Sequence, residues 1–316
     1  MKKSVRSFTC VIISALFLTA NSVFAASDDD RPNILMICID DMNDWCGFLG
    51  GHPQALTPNM DKLAARGVNF TNAHCPAPAC SPSRNAILLG IEPYNSGLYP
   101  FYDLKDIKPE VLEPYTALPY LLRQNGYITC GASKVFHNPD NTWQEELNWD
   151  DYEMYGTGNI QKASGKGFVA DELTGRQREK FSITPGTNPL EDFGGYKTAM
   201  HGVRFLEEKH DKPFFLAVGF IKPHLPFRMP EENYDRFTEP IEPPAINKND
   251  FDDIPPAGKA MATKSKSGIY DKNDVWETVR RGYLACINFT DDNVGRVVEA
   301  LNSSPYADNT IIILWS

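Results

Sequence analysis

The run Asn33 to Ile39, NILMICI, followed at once by Asp40-Asp41, constrains this chain more than any other stretch. Seven residues without polar alternation have the length of a strand, and a strand apolar on both sides needs cover on both faces. A central parallel strand between layers of helices meets that need. The punctuation that follows agrees. LTPNMDKLAARG predicts a helix capped by Thr57, with Pro58 in its first turn and Gly67 as its stop. Ser81-Pro82-Ser83-Arg84-Asn85 opens another, running to about Gly90. Tyr115 to Asn125 reads as a helix and Gly126 to Cys130 as a strand; Tyr196 to His210 is helical and Pro213 to Gly219 extended. Asn138 to about Pro189 is a long polar excursion, and PPAINKNDFDDIPPAGKA a proline-rich loop. Two helical stretches fill Val275 to Leu301, and Thr310 to Trp315 is a last strand. Strands alternating with helices argue for an α/β sandwich around a largely parallel sheet, and no repeat of solenoid period interrupts it.

The amino terminus has another character. Lys2, Lys3 and Arg6 precede an apolar stretch from Val11 to Leu18 and a small-residue exit at Val23-Phe24-Ala25. Residues 1–25 therefore read as a cleaved signal peptide, which places the remainder, 26–316, outside the cytoplasm, in the periplasm or beyond the cell. No later run is long and apolar enough for a bilayer, so stable membrane insertion after cleavage is not expected. A net charge of -10 argues against nucleic acid as a partner and requires any anion site to carry its own positive cluster. Of seven cysteines six follow the signal, scattered and without a CxxC pair, so neither a zinc ribbon nor a dense disulfide scaffold is expected. Cys38, inside the apolar run, reads as a small buried hydrophobe.

In a parallel sheet, chemistry collects at the carboxyl ends of strands. That rule selects Asp40 and Asp41, adjacent carboxylates suited to a hard divalent cation. It also selects Lys134 and His137, after the strand ending near Cys130, and His224 in FIKPHLPF. Cys80 falls at a helix start, where the positive end of the dipole favours an oxyanion, and Arg84 lies one turn along. Most have a plain reading when taken singly: a solvated turn for the aspartates, a disulfide to Cys75 or a buried thiol for Cys80, an ordinary surface residue for Lys134 or His137, and a structural role for either histidine. Their joint placement at strand ends and one helix start is what gives them weight.

Cys80-Ser81-Pro82-Ser83-Arg84 resembles the sulfatase signature C-x-P-S-R, in which the cysteine is oxidised to formylglycine. Gly126-Tyr127-Ile128-Thr129 and Ser133-Lys134-Val135-Phe136-His137 are similar to the second sulfatase signature, and RPNILMICIDDMNDW to the family's metal-binding segment. KVFHNP, PFFLAVGFIKPHLPF and YLACINFTDDNVGRVVEAL look like the iduronate-2-sulfatase branch. The resemblance runs from about Arg31 to Ser316 and is weakest between Asn138 and Pro189. It implies an alkaline-phosphatase-like α/β sandwich and a sulfuric ester hydrolase acting on a sulfated carbohydrate. It further implies a maturation enzyme that makes formylglycine from Cys80, and a cation, Ca2+ ahead of Mg2+, held by Asp40, Asp41 and residue 80. In the implied roles Cys80, Arg84 and His137 are catalytic: residue 80 attacks sulfur with Arg84 polarising it, and His137 takes a proton. Lys134 and His224 bind the sulfate.

This chain departs from the family pattern at three places. Leu89-Gly90 stands where Thr-Gly is usual, and Ser133 where glycine usually precedes the lysine. The family strand resembling TIIILWS leads into Asp-His-Gly or Asp-Asn-Gly, and a sulfate-binding lysine follows. The sequence ends at Ser316, before either, so Asp40, Asp41 and residue 80 alone would under-coordinate a cation. The smaller carboxy-terminal subdomain is expected to be missing too. Three rival readings follow: a phosphate or phosphonate ester hydrolase of the same superfamily, a binding-only scaffold for sulfated glycans, and a cysteine hydrolase that would leave Asp40-Asp41 unexplained.

Overall fold

The computed structural model describes residues 31–99, 113–137, 148–158, 162–245, 247, 249–262 and 268–316. The signal-peptide reading of residues 1–25 lies outside them. Among the described residues five strands form one parallel sheet: β1 (Asn33–Asp40), β2 (Ile128–Ser133), β3 (Asp151–Glu153), β5 (Phe214–Pro223) and β7 (Thr310–Trp315), in the order β3-β2-β5-β1-β7. A second sheet pairs β4 (Ile183–Gly186) with β6 (Phe227–Pro230).

The apolar runs are accounted for by two-sided burial. Leu35, Ile37 and Ile39 of β1 face one way, with Leu216, Val218 and Phe220 of β5. Met36 and Cys38 face the other way, with Phe215 and Ala217. The first set packs on α5 (Gly194–Glu207) and α6 (Trp276–Asn302) through Ala199, Leu206, Val294 and Val297. The second set packs on α2 (Cys80–Leu89) through Leu88 and Leu89. Each fully buried Leu, Ile or Val in these layers is worth about 1.5–3 kcal/mol of transfer free energy.

The remaining helices include α1 (Pro58–Ala65), α3 (Leu118–Gln124) and α4 (Gly175–Phe181). Pro58 opens α1 as expected, but Thr57 does not cap it: its hydroxyl turns to Asp61 Oδ1 at 3.0 Å and accepts from Gly47 N. The cap is long-range. Asp291 of α6 accepts from the backbone N–H groups of Asn59 and Met60. The helix ends at Ala65, two residues before Gly67, and Gly90 ends α2 with φ of 66°. The two helices expected over Val275 to Leu301 are one helix of 27 residues. The excursion from Asn138 to Pro189 is ordered in its described parts: it supplies β3, α4 and β4. Within the proline-rich loop, Pro256–Ala262 is helical.

Because all five strands of the main sheet run parallel, their carboxyl ends meet at one edge. Asp40-Asp41, Ser133-Lys134, Pro223-His224 and Trp315-Ser316 come together there, beside the start of α2.

Candidate active site

Asp40 closes β1 and is 2% exposed. Its Oδ1 accepts from Arg84 Nη2 at 3.2 Å, and its Oδ2 accepts from the Lys134 ammonium. Burial by itself would push this carboxyl up, but the Arg84 and Lys134 charges outweigh it and hold it below the ordinary carboxylate range. Arg84 is equally buried. Its remaining N–H groups donate to Val135 O at 3.1 Å, Ile39 O at 3.4 Å and Lys134 O, and Trp315 stacks over the guanidinium with its ring centre 5.1 Å away. Arg84 thus braces the ends of β1 and β2. Its donors are turned to protein acceptors.

Gly219 makes that brace possible. A Cβ there would lie 2.1 Å from the Lys134 carbonyl carbon, so only glycine lets β5 pass this close to the end of β2. Ser133, where the family pattern has glycine, has φ of 58°, in the left-handed region. Its hydroxyl bonds Thr198 Oγ1 at 2.7 Å and accepts from Tyr155 N at 3.3 Å, while its carbonyl accepts from Tyr152 OH. These bonds hold a conformation that costs about 1–2 kcal/mol for a residue with a Cβ.

Asp41 is also left-handed, with φ of 58°, and its carboxylate is exposed. Tyr283 of α6 fixes this turn, donating to Asp41 O at 2.8 Å and accepting from Asn43 N at 2.9 Å. His224 Nε2 lies 3.6 Å from Asp41 Oδ2. The backbone of the His224 loop is held from beneath by Lys222, whose buried ammonium donates to His224 O and Pro226 O at 2.6 Å each. Burial lowers the Lys222 ammonium to about 8.

Cys80 opens α2 from an extended Ala79 with no side-chain cap. It is half-buried at the mouth of a cleft of about 210 Å³ whose lining includes Asp40, Asp41, Ser83, Arg84 and Trp315. Burial raises its thiol above the ordinary range, with Lys134 opposing and Asp40 and Asp41 reinforcing. The six cysteines of the described residues are all free, so no disulfide joins Cys75 to Cys80, and Cys38 is fully buried as expected.

Six of the seven sequence-selected residues, Asp40, Asp41, Cys80, Arg84, Lys134 and His224, thus converge on one edge. His137 sits three residues beyond Lys134, half-buried in the same loop. A larger cleft of about 360 Å³ is lined by His224, Arg176, Lys180 and Arg228 along with Glu179, Leu225 and Pro226. Arg228 is paired with Glu179 at 2.5 Å. Sequence reasoning missed Lys222, Tyr283, Gly219 and the Arg176–Lys180 wall. Lys222 stood beside His224 in a strand-ending motif, whereas the others gave no local signal.

The oxygens of Asp40 and Asp41 and a nitrogen of His224 lie within 4.8 Å of one another. Two carboxylates on one turn fit a hard divalent cation as donors; an imidazole does not, and stays available to an anion. Charge points the same way. Two carboxylates against one guanidinium and one ammonium leave the cluster neutral, and a divalent cation turns it into a positive well.

A parallel sheet whose carboxyl edge gathers a carboxylate pair, basic side chains and a helix start defines an α/β protein with a candidate site at that edge. Comparison with known proteins makes this specific. The sulfatase family model matches residues 32–316, and the chain belongs to the sulfatase family. It is 34% identical over 300 residues to a sulfatase of Formosa agariphila, covering 91% of this chain and 58% of that protein. It is 28% identical to mouse iduronate 2-sulfatase, covering 98% and 58%. The chain thus spans somewhat over half the length of these relatives. The crystal structure of the phosphonate monoester hydrolase of Agrobacterium radiobacter superposes with a TM-score of 0.69 at 21% identity, covering 90% of this chain and 62% of that one. A structure bound to its substrate D-glucosamine-2-N,6-O-disulfate superposes with a TM-score of 0.60 at 20% identity, covering 90% and 65%. These likenesses establish the alkaline-phosphatase-like fold.

Proposed function

We propose that the protein hydrolyses the sulfate ester of an anionic sugar, with residue 80, matured from cysteine to formylglycine, as its nucleophile. The observation that carries this reading is the placement of Cys80. A signature cysteine at an uncapped helix start lines one small cleft together with Asp40, Asp41 and Arg84.

In this reading Asp40, Asp41 and residue 80 would hold a divalent cation, calcium ahead of magnesium, which would supply Lewis-acid charge to the site. The hydrated aldehyde has two hydroxyls, one to attack sulfur and one whose deprotonation expels sulfate and restores the aldehyde. Lys134 and His224 bind the sulfate oxygens, and His224 protonates the departing alcohol. His137 takes the proton of the second hydroxyl. Arg84 acts through Asp40, fixing the carboxylate instead of touching substrate. The Arg176 and Lys180 side of the neighbouring cleft favours a sugar bearing a second negative group, in keeping with a sulfated uronic acid.

We infer export and maturation by a formylglycine-generating enzyme from the leader and the signature. Among the described residues no helix is long and apolar enough to cross a membrane. The test is sulfate release by matured protein from a 2-O-sulfated uronic acid disaccharide, with the matching phosphate ester as comparator. The reading expects sulfate release that Cys80→Ala abolishes. Preferential phosphate release would move the activity to the phosphoesterase branch, and binding without release would make the chain a glycan-binding scaffold.

A further inference from the structure

A second cluster of ligand-type side chains lies at the sheet edge, and no residue of the Cys80 cleft takes part in it. Cys130 of β2, Asp151 of β3 and His201 of α5 come from three separate elements and turn their donor atoms to one point. His201 Nε2 lies 3.3 Å from Cys130 Sγ and 3.2 Å from Asp151 Oδ2, and Sγ lies 3.9 Å from the same Oδ2. A tetrahedral zinc ion with ordinary bond lengths separates S from N by about 3.5 Å, N from O by about 3.3 Å and S from O by about 3.5 Å. The three observed distances match to within about 0.4 Å.

The arrangement around the imidazole is that of a ligand. Its other nitrogen, Nδ1, faces Tyr155 OH at 3.2 Å, and the same phenol oxygen accepts from Arg204 Nη2 at 3.2 Å. Such an outer partner fixes ring orientation and leaves Nε2 to the metal. A single Nε2 proton or lone pair serves only one of its two neighbours fully, whereas a cation between them satisfies sulfur, nitrogen and carboxylate together. Cys130 is fully buried and His201 nearly so, while Asp151 is 64% exposed, which leaves one side open to solvent.

We propose that Cys130, Asp151 and His201 bind a zinc ion, with water as the fourth ligand. Mixed sulfur, nitrogen and oxygen donors suit this borderline-soft cation, in contrast to the all-oxygen preference of calcium at Asp40-Asp41. The ion ties the outermost strand β3, only three residues long, to β2 and to α5.

Cobalt(II) titration of the purified protein tests this, because a thiolate bound to cobalt gives a near-ultraviolet charge-transfer band. One equivalent should produce the band, zinc should displace it, and Cys80→Ser should leave it intact. Cys130→Ser should abolish it. Asp151→Asn, a change on an exposed side chain that the fold tolerates, should keep the band and weaken cobalt binding at least about tenfold. Absence of the band in the wild-type protein overturns the proposal, as does its survival in Cys130→Ser or an unchanged cobalt affinity in Asp151→Asn.

Discussion

Replacing Arg84 with methionine separates a bracing residue from a substrate-binding one. Methionine keeps an unbranched apolar stem and removes the guanidinium together with its stacking on Trp315. Asp40 Oδ1 and the carbonyls of Ile39, Lys134 and Val135 then lose a donor inside a site where Asp40 is 2% exposed. Breaking a buried ion pair by deleting one partner costs about 3–5 kcal/mol. The Lys134 ammonium still faces Asp40 and moderates the loss, so the lower half of that range applies. For a domain of this size, a loss of about 3 kcal/mol lowers the thermal midpoint by roughly 6–12 °C. The assay is urea and thermal unfolding of wild type, Arg84→Met, Asp40→Asn and the double variant. The cycle should show a coupling of about 1–3 kcal/mol between residues 84 and 40. If Arg84→Met unfolds within about 0.5 kcal/mol of wild type and its loss falls on turnover alone, the bracing account is wrong and Arg84 acts on substrate.

Further outcomes follow from the same geometry. Because burial holds Lys222 at about 8 against 10.5 in the unfolded chain, the folded state carries fewer protons between those values and gains stability as pH rises. Stability measured by urea midpoints should therefore rise by about 3 kcal/mol from pH 8 to 10.5 relative to Lys222→Met, and parallel pH profiles would contradict this. Ser133→Gly trades the Thr198 hydrogen bond for relief at φ of 58° and should shift stability by less than about 1 kcal/mol, whereas Ser133→Val should cost about 2 kcal/mol or more by equilibrium unfolding. Asp41→Asn should leave the thermal midpoint almost unmoved, since the side chain is exposed. Calorimetry should show its calcium affinity reduced at least about tenfold.

The sequence made the sheet and its functional edge legible because both depend on local signals. NILMICI encodes two-sided burial, the aspartates mark its carboxyl end, and the Cys80 to Arg84 stretch starts a helix whatever its partners. What escaped depended on distant partners. The single helix Trp276–Asn302 looked like two because Asn288, Thr290, Asp291 and Asn293 interrupt the apolar stripe. Each is buried and hydrogen-bonded, to Leu56 O, Lys222 O, the Met60 N–H and Phe289 O respectively, so the polar break is an interior seam. The polar excursion concealed β3 for a similar reason: Asp151–Glu153 is a strand only because β2 offers it an edge. Ser133 stands where the family pattern has glycine, and its bonds to Thr198, Tyr155 and Tyr152 hold the left-handed backbone that glycine would adopt freely.

The most direct test of the proposed chemistry is mass analysis of the peptide carrying residue 80, taken from protein that releases sulfate and trapped with an aldehyde-reactive hydrazide. The account predicts an aldehyde at residue 80 in proportion to the specific activity of each preparation. Full activity from protein whose Cys80 is entirely an unmodified thiol would contradict it.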